Sequence, residues 1–258
     1  MNPFLFLLML SAVSLIGILV FFEVGRKIGL HRLKKSSSGL ASGIGASEGV
    51  VFALLGLLIA FTFTGAATRF EDRRHLIVEE ANDIGTAYLR IDLLAIENQL
   101  VLRELFKRYT DQRLKTYREA HDFKSIMPNQ QTTAALQQDI WRAAITAGKN
   151  PNANADANKL LLPALNAMID ITTTRTVASR NHPPIAIYFL LFGLSLIAAM
   201  LIGYGTSTNT DRVWLHKIAF ALVITLTSYI IIDLEYPRLG LIRIDADDQI
   251  LIDIRRAM

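Results

Sequence analysis

Four side chains pose the chemical question in this sequence: Leu57, Phe61, Thr64 and Thr68, inside the uncharged run 49–68. Their spacing of four, three and four puts them on one side of a helix, apolar first and hydroxylated after. Two bulky apolar side chains one turn apart can narrow an aqueous path until it dewets, and the hydroxyls beyond can help hydrate an ion. The same stripe, extended backwards by Leu54, can equally face lipid. A second stripe carries Gly49, Ala53, Gly56, Ala60 and Ala67, a smooth surface on which another helix backbone can come close.

Charges follow at once. Arg69, Arg73 and Arg74 succeed the uncharged run, and Asp233 and Glu235 open the stretch "DLEYPRLGLIRID" with Arg238 and Arg243 behind them. An isolated charge at the centre of a span costs about 2.5–3.5 kcal/mol on insertion scales, so charges at span ends seek partners. In an antiparallel bundle Arg69, Arg73, Arg74, Asp233 and Glu235 share one end. There they form either a structural ion-pair cluster or a set of mouth charges that attracts ions. His75 and Glu79 stand four apart, with Glu80 and Asp83 close by, a spacing able to present two metal ligands. No second histidine-containing pair completes such a site, so no metal and no cofactor is expected. The chain has no GxSxG, P-loop or HExxH pattern and no nucleophile paired with a base, so no catalytic residue is assigned and an enzyme is not expected.

The elements that must position these residues are dictated by hydropathy. The 258 residues are 52% hydrophobic, and the apolar ones are clumped. Residues 3–22, 49–68 and 183–203 carry no charge, and a fourth run at 218–232 follows Trp214, His216 and Lys217. About 20 apolar residues at 1.5 Å rise match a hydrocarbon core of roughly 30 Å. The fold expected is all-α, with four transmembrane helices at about 3–22, 49–68, 183–203 and 213–232. The first run has no basic residue before it and no small-residue cleavage pattern after it, and is read as an uncleaved span. The absence of cysteine excludes disulfides and thiolate metal sites. A net charge of +4 with basic residues at span ends speaks of orientation in a bilayer and not of nucleic acid.

The chain then divides into a first helix pair (1–68), a central extramembrane domain (69–182), a second helix pair (183–233) and a C-terminal tail (234–258). The loop after the first span is basic and then Ser/Gly-rich, a flexible linker. Nothing between 66 and 84 stops a helix, and a backbone in lipid must bond to itself, so the second span should leave the membrane as one straight rod. Beyond it Phe70, Ile77, Ile84 and Ile91 recur every seven residues, beside Ala67, Arg74, Ala81, Tyr88 and Ala95. Arg73, Glu79, Glu80 and Asp83 take the polar positions, suited to water or to ion pairs. Gly85 weakens the helix by about 1 kcal/mol relative to Ala. The pattern carries the helix to about residue 121, with Pro128 in the break that follows. Further helices are expected at about 132–147, ending at Gly148, and at about 159–179, with Pro163 in the first turn. In the third span Ser195, Ala199 and Gly203 form another small-residue seam, read as an internal packing face.

The stretch "GLLIAFTFTGAATRFEDRRHLIVEEANDIGTAYLRIDLL" (56–94) resembles the signature of the bestrophin-like family of bacterial membrane proteins. The ending "LHKIAFALVITLTSYIIIDLEYPRLGLIRI" (215–244), with a proline before the third span, is similar to that family's second half. The resemblance implies a multi-pass protein of the bacterial inner membrane. A more distant likeness to bestrophin ion channels implies a pentamer whose second span lines a hydrophobic neck. It sets Ala53, Leu57 and Phe61 on the neck and Thr68, Arg69 and Phe70 just past it. Ala53 is too small to constrict, and Gly65 stands where a bulky residue belongs.

Arg26, Lys27, Arg32, Lys34 and Lys35 in the first loop, with Arg212 and Lys217 in the third, put both loops in the cytoplasm and the central domain outside. The function expected is a passive ion channel. It would be a homo-oligomer in the lipid bilayer, closed by cyclic symmetry, passing inorganic ions between Leu57 and Phe61 with Thr64 and Thr68 on the wet side. The alternative is a non-conducting envelope sensor or scaffold whose central domain binds a partner.

Overall fold

A computed structural model describes residues 3–35, 44–120, 123–208 and 214–258. The Ser/Gly-rich part of the first linker, the expected helix end at residue 121 and Arg212 lie outside the described residues. Every regular element among the described residues is helical: α1 (Pro3–Lys35), α2 (Ile44–Leu89), α3 (Ile96–Arg118), α4 (Phe123–Ala147), α5 (Ala157–Arg180), α6 (Ile185–Gly205), α7 (Trp214–Glu235) and α8 (Gln249–Ala257), with short 3-10 turns between some of them. Four stretches are long and apolar enough to cross a membrane, in α1, α2, α6 and α7. The chain forms two compact units, residues 1–69 with 182–241 and residues 70–181 with 242–258.

In the first unit α1 packs along α6, and α7 lies against α1. Between helices in lipid there is no hydrophobic gain, so close fit has to supply the attraction. The sequence provides for it with glycine at the crossing points. A Cβ added at Gly25 would overlap the carbonyl of Met200, and one added at Gly203 would overlap the carbonyl of Phe22. Ser195, Ala199 and Gly203 are all buried, so the small-residue seam of the third span is the internal packing face expected of it. Ser195 returns its hydroxyl to Leu191 O at 2.7 Å, within its own helix. Apolar side chains such as Val13, Ile16, Val20, Phe189 and Leu226 point outward, as lipid contact requires. The first span is longer than its uncharged core: α1 runs on to Lys35, so the basic flank is helical rather than loop.

In the second unit the distal part of α2 packs with α3, α4, α5 and α8 around one apolar core. Ile77, Ile84 and Ile91 are fully buried there and Phe70 packs against them, which is the seven-residue stripe read from the sequence. Each such isoleucine contributes about 1.5–3 kcal/mol by leaving water. Phe106, Tyr109, Ile140, Leu161, Leu165 and Met168 meet them from α3, α4 and α5.

Three expectations are corrected. The long helix does not continue to about 121. It tightens into a 3-10 turn at Arg90–Leu93, and Leu94 and Ala95 are extended before α3 begins. Gln99 Nε2 donates to the freed Leu94 carbonyl at 2.8 Å, and the reversal lets Ile91, Leu94 and Leu102 all reach one core. Pro128 lies inside α4 and not in a break. The hydrogen bond its ring removes is offset by the next residue, because buried Asn129 donates to Glu119 Oε2 at 2.9 Å and accepts from Gln112 Nε2 at 3.0 Å. Pro163 lies past the first turn of α5, since that helix begins at Ala157.

Residues 242–258 are counted in the second unit and carry α8. Leu251 is buried in the core, and Tyr88 Oη donates to Met258 O at 2.9 Å. Arg255 grips both oxygens of Asp111 at 2.8 and 2.9 Å.

Candidate functional site

α2 is a single helix of 46 residues, and in its apolar part it buries only a narrow strip. Leu55, Thr62 and Ala66 are buried; Thr62 keeps its hydroxyl bonded to Leu58 O at 2.7 Å. The candidate stripe is turned the other way. Leu57 is 52% exposed and Phe61 69%, with Leu54, Thr64 and Thr68 exposed beside them. Thr68 Oγ1 donates back to Thr64 O at 3.0 Å. The small-residue stripe is uncovered too: Gly49, Ala53, Gly56 and Ala60 are exposed, and a Cβ added at Gly49 or Gly56 would meet nothing within 4 Å. Among the spans, α1 packs along α6 and α7 lies against α1.

The charged residues part into separate groups. In the first unit Arg69 donates Nε to Glu235 Oε1 at 2.8 Å and Nη2 to the same oxygen. The other carboxylate oxygen lies 3.2 Å from His182 Nδ1, whose ring stacks on Tyr236 at 4.5 Å. Glu235 is buried, so one carboxylate ties the end of the uncharged run of α2 to α7 and to the entry of α6. Asp233, also buried, accepts the backbone N–H of Leu241 at 3.2 and 3.0 Å and so closes the turn after α7. Gly240 is required in that turn, because any Cβ there would overlap the Asp233 carboxylate.

In the second unit Arg73 is buried and donates to the carbonyls of Ala178 at 3.1 Å and Asn181 at 3.0 Å, at the C-terminal end of α5. A guanidinium there also meets the negative end of the helix dipole. Arg74 holds Asp247 in a two-pronged pair at 3.0 and 3.1 Å, and Glu71 at 3.0 Å. Asp247, by hydrogen bond and charge, raises the Arg74 pKa above its ordinary value. His75 and Glu79 are exposed, and no group of three metal-binding side chains forms among the described residues.

Sequence reading missed the role of Glu80. It is 0% exposed and joins three helices. Arg113 Nε of α3 donates to its Oε1 at 2.5 Å, Tyr117 Oη donates to its Oε2 at 2.5 Å, and Arg175 of α5 pairs with the same Oε2. Arg175 also lies over the Tyr117 ring, 3.9 Å from its centre. Burial alone would push the Glu80 carboxyl up. The charges of Arg113 and Arg175, with hydrogen bonds from Arg113 and Tyr117, hold it at about 2 instead. Burial first, then the Glu80 charge, pushes the Tyr117 hydroxyl well above its usual range. One signal could have found this hub: Glu80 stands seven residues after Arg73 and seven before Ala87, between Ile77 and Ile84 on the side that enters the core.

All-helical architecture, four apolar spans and outward-facing apolar side chains define a multi-pass membrane protein. The profile of the bestrophin-like domain matches residues 12–248, and the chain belongs to the bestrophin-like family. No curated protein and no solved structure matches it.

Proposed function

We propose that this chain is the subunit of a homo-oligomeric, passive ion channel of the bacterial inner membrane. The observation that supports it is the exposure of two stripes of α2: both the small-residue stripe and the Leu57/Phe61 stripe are uncovered, while Leu55, Thr62 and Ala66 on another side are buried. Copies arranged around an axis would bring neighbouring backbones together along Gly49, Ala53, Gly56 and Ala60. Leu57 and Phe61 would then face the axis as a constriction that gates by dewetting, with Thr64 and Thr68 on its wet side. Family membership supports the same reading, and the pentamer is what the resemblance to bestrophin channels implies. The basic end of α1, with Arg32, Lys34 and Lys35 in its last turn, supports a cytoplasmic first loop and an extracytoplasmic central unit.

The test is ion flux from liposomes holding the purified protein, wild type beside Leu57→Ala and Phe61→Ala. Truncating side chains at a constriction should raise flux several-fold. No flux in any variant, with the oligomer intact and inserted, removes the channel and leaves a non-conducting sensor or scaffold.

A further inference from the structure

Within the second unit, the distal part of α2 and the first half of α5 leave a cleft of about 250 Å³ between them. The two helices run antiparallel there. As α2 advances from Arg73 through Glu80 to Arg90, its partners fall back along α5 from Ala178 through Arg175 to the Leu160 carbonyl. Asp83, Thr86 and Arg90 line one wall of the cleft, and Pro163, Ala164 and Ala167 line the other. Two alanines and a proline are too short to fill the space from the α5 side.

The polar wall is ordered. Asp83, Thr86 and Arg90 are spaced three and four apart, on one face of α2 and of the 3-10 turn that follows it. Acid and guanidinium thus start about 10 Å apart along the axis, with the hydroxyl between them. Asp83 and Thr86 make no hydrogen bond or ion pair among the described residues. Thr62 and Thr68 of the same helix return their hydroxyls to the carbonyls four residues back, and Thr86 does not. Arg90 commits one nitrogen to Leu160 O and keeps its other N–H groups free to donate. Asp83 is half-buried, and burial first, then the charges of Glu79 and Glu80, raises its carboxyl pKa. A cation brought to that carboxylate relieves an unpaired charge crowded by its neighbours.

We infer that this cleft binds a dipeptide with small side chains, its amine on Asp83, its amide carbonyl on the Thr86 hydroxyl and its carboxylate on Arg90. Two residues of extended peptide span about 7 Å, and a charge-assisted hydrogen bond of about 2.8 Å at each end brings both charged side chains within reach. A single amino acid spans about half as much and meets one end only. The cleft is smaller than the roughly 300–1,000 Å³ of sites for drug-sized ligands, and its alanine and proline wall leaves room for methyl-sized side chains. The site lies wholly within the second unit and does not depend on the channel reading. It gives that unit a ligand in a conducting and in a non-conducting protein alike.

The experiment is titration calorimetry of the purified full chain with alanylalanine. The wild-type chain should bind it saturably, one per chain. N-acetyl-alanylalanine, which lacks the amine charge, alanylalanine amide, which lacks the carboxylate, and free alanine should each bind roughly tenfold or more weakly. Asp83→Asn should weaken alanylalanine by a similar factor and abolish its advantage over the acetylated form. Arg90→Gln should abolish its advantage over the amide. Each variant is compared with wild type by its melting temperature without peptide, and the ligand series, read on the wild-type chain, decides even where a variant does not fold. No saturable binding at millimolar alanylalanine overturns the inference. So does equal affinity for alanylalanine and either blocked form, or for alanylalanine and free alanine, and so does a folded Asp83→Asn chain that binds as wild type does.

Discussion

Glu80→Gln isolates the buried hub of the second unit. The substitution keeps the shape of the side chain and removes its charge, leaving Arg113 and Arg175, 7% and 9% exposed, facing a neutral amide. Removing one partner of a buried ion pair costs about 3–5 kcal/mol, because the orphaned charge stays out of water. The carboxyl itself points to the same size: held at about 2 against an ordinary 4.5, it is worth about 3 kcal/mol at 1.36 kcal/mol per pH unit. For a domain of this size that is a fall of roughly 10 °C in melting temperature. The chain has two tryptophans, and Trp141 packs against the core of the second unit. In a Trp214→Phe background its fluorescence on heating the detergent-purified protein reports on that unit. Glu79→Gln, one residue away and exposed, is the control and should stay within about 0.5 kcal/mol of wild type. A Glu80→Gln protein melting within a degree or two of wild type would show that the three helices are held by apolar packing alone and not by the buried carboxylate.

Acid should act through the same group. Its pKa is lower folded than unfolded, so its stabilisation is complete above about pH 4.5 and fades as pH falls toward 2. The gap in Trp141 melting temperature between wild type and Glu80→Gln should therefore be constant from pH 7 to about 5 and narrow below about 4. Gly203→Ala should destabilise the α1–α6 crossing by about 1–3 kcal/mol, since the new methyl overlaps the Phe22 carbonyl, and lower folded yield from the membrane. Gly56→Leu meets nothing within the chain, so the single chain should fold normally while chemical cross-linking shows less oligomer. Gly240→Ala should loosen the turn after α7 by pushing on the Asp233 carboxylate, seen as faster backbone hydrogen exchange at Leu241.

Much of this protein is written in its hydropathy. Lipid offers no hydrogen bonds, so 20 uncharged residues in a row have one backbone solution, and the four spans follow from counting. The same rule carried α2 out of the apolar run, and the seven-residue recurrence of Ile77, Ile84 and Ile91 fixed which side of it enters a core. What local pattern could not decide were the choices made by distant partners. Pro128 sits inside a helix because Asn129 is held by Glu119 and Gln112. The long helix ends at Leu89 because Leu94 and Leu102 must reach the core already occupied by Ile91. Charge is the clearest case. Arg69, Arg73, Glu79 and Glu80 are alike as letters, each a charged residue at a polar position of one helix. Which are buried and spent, and which remain exposed to water, depends on carboxylates, guanidiniums and carbonyls 33 to 166 residues away in the chain. The energy of a charge is set by its surroundings rather than by its own type, and only the folded chain supplies those surroundings.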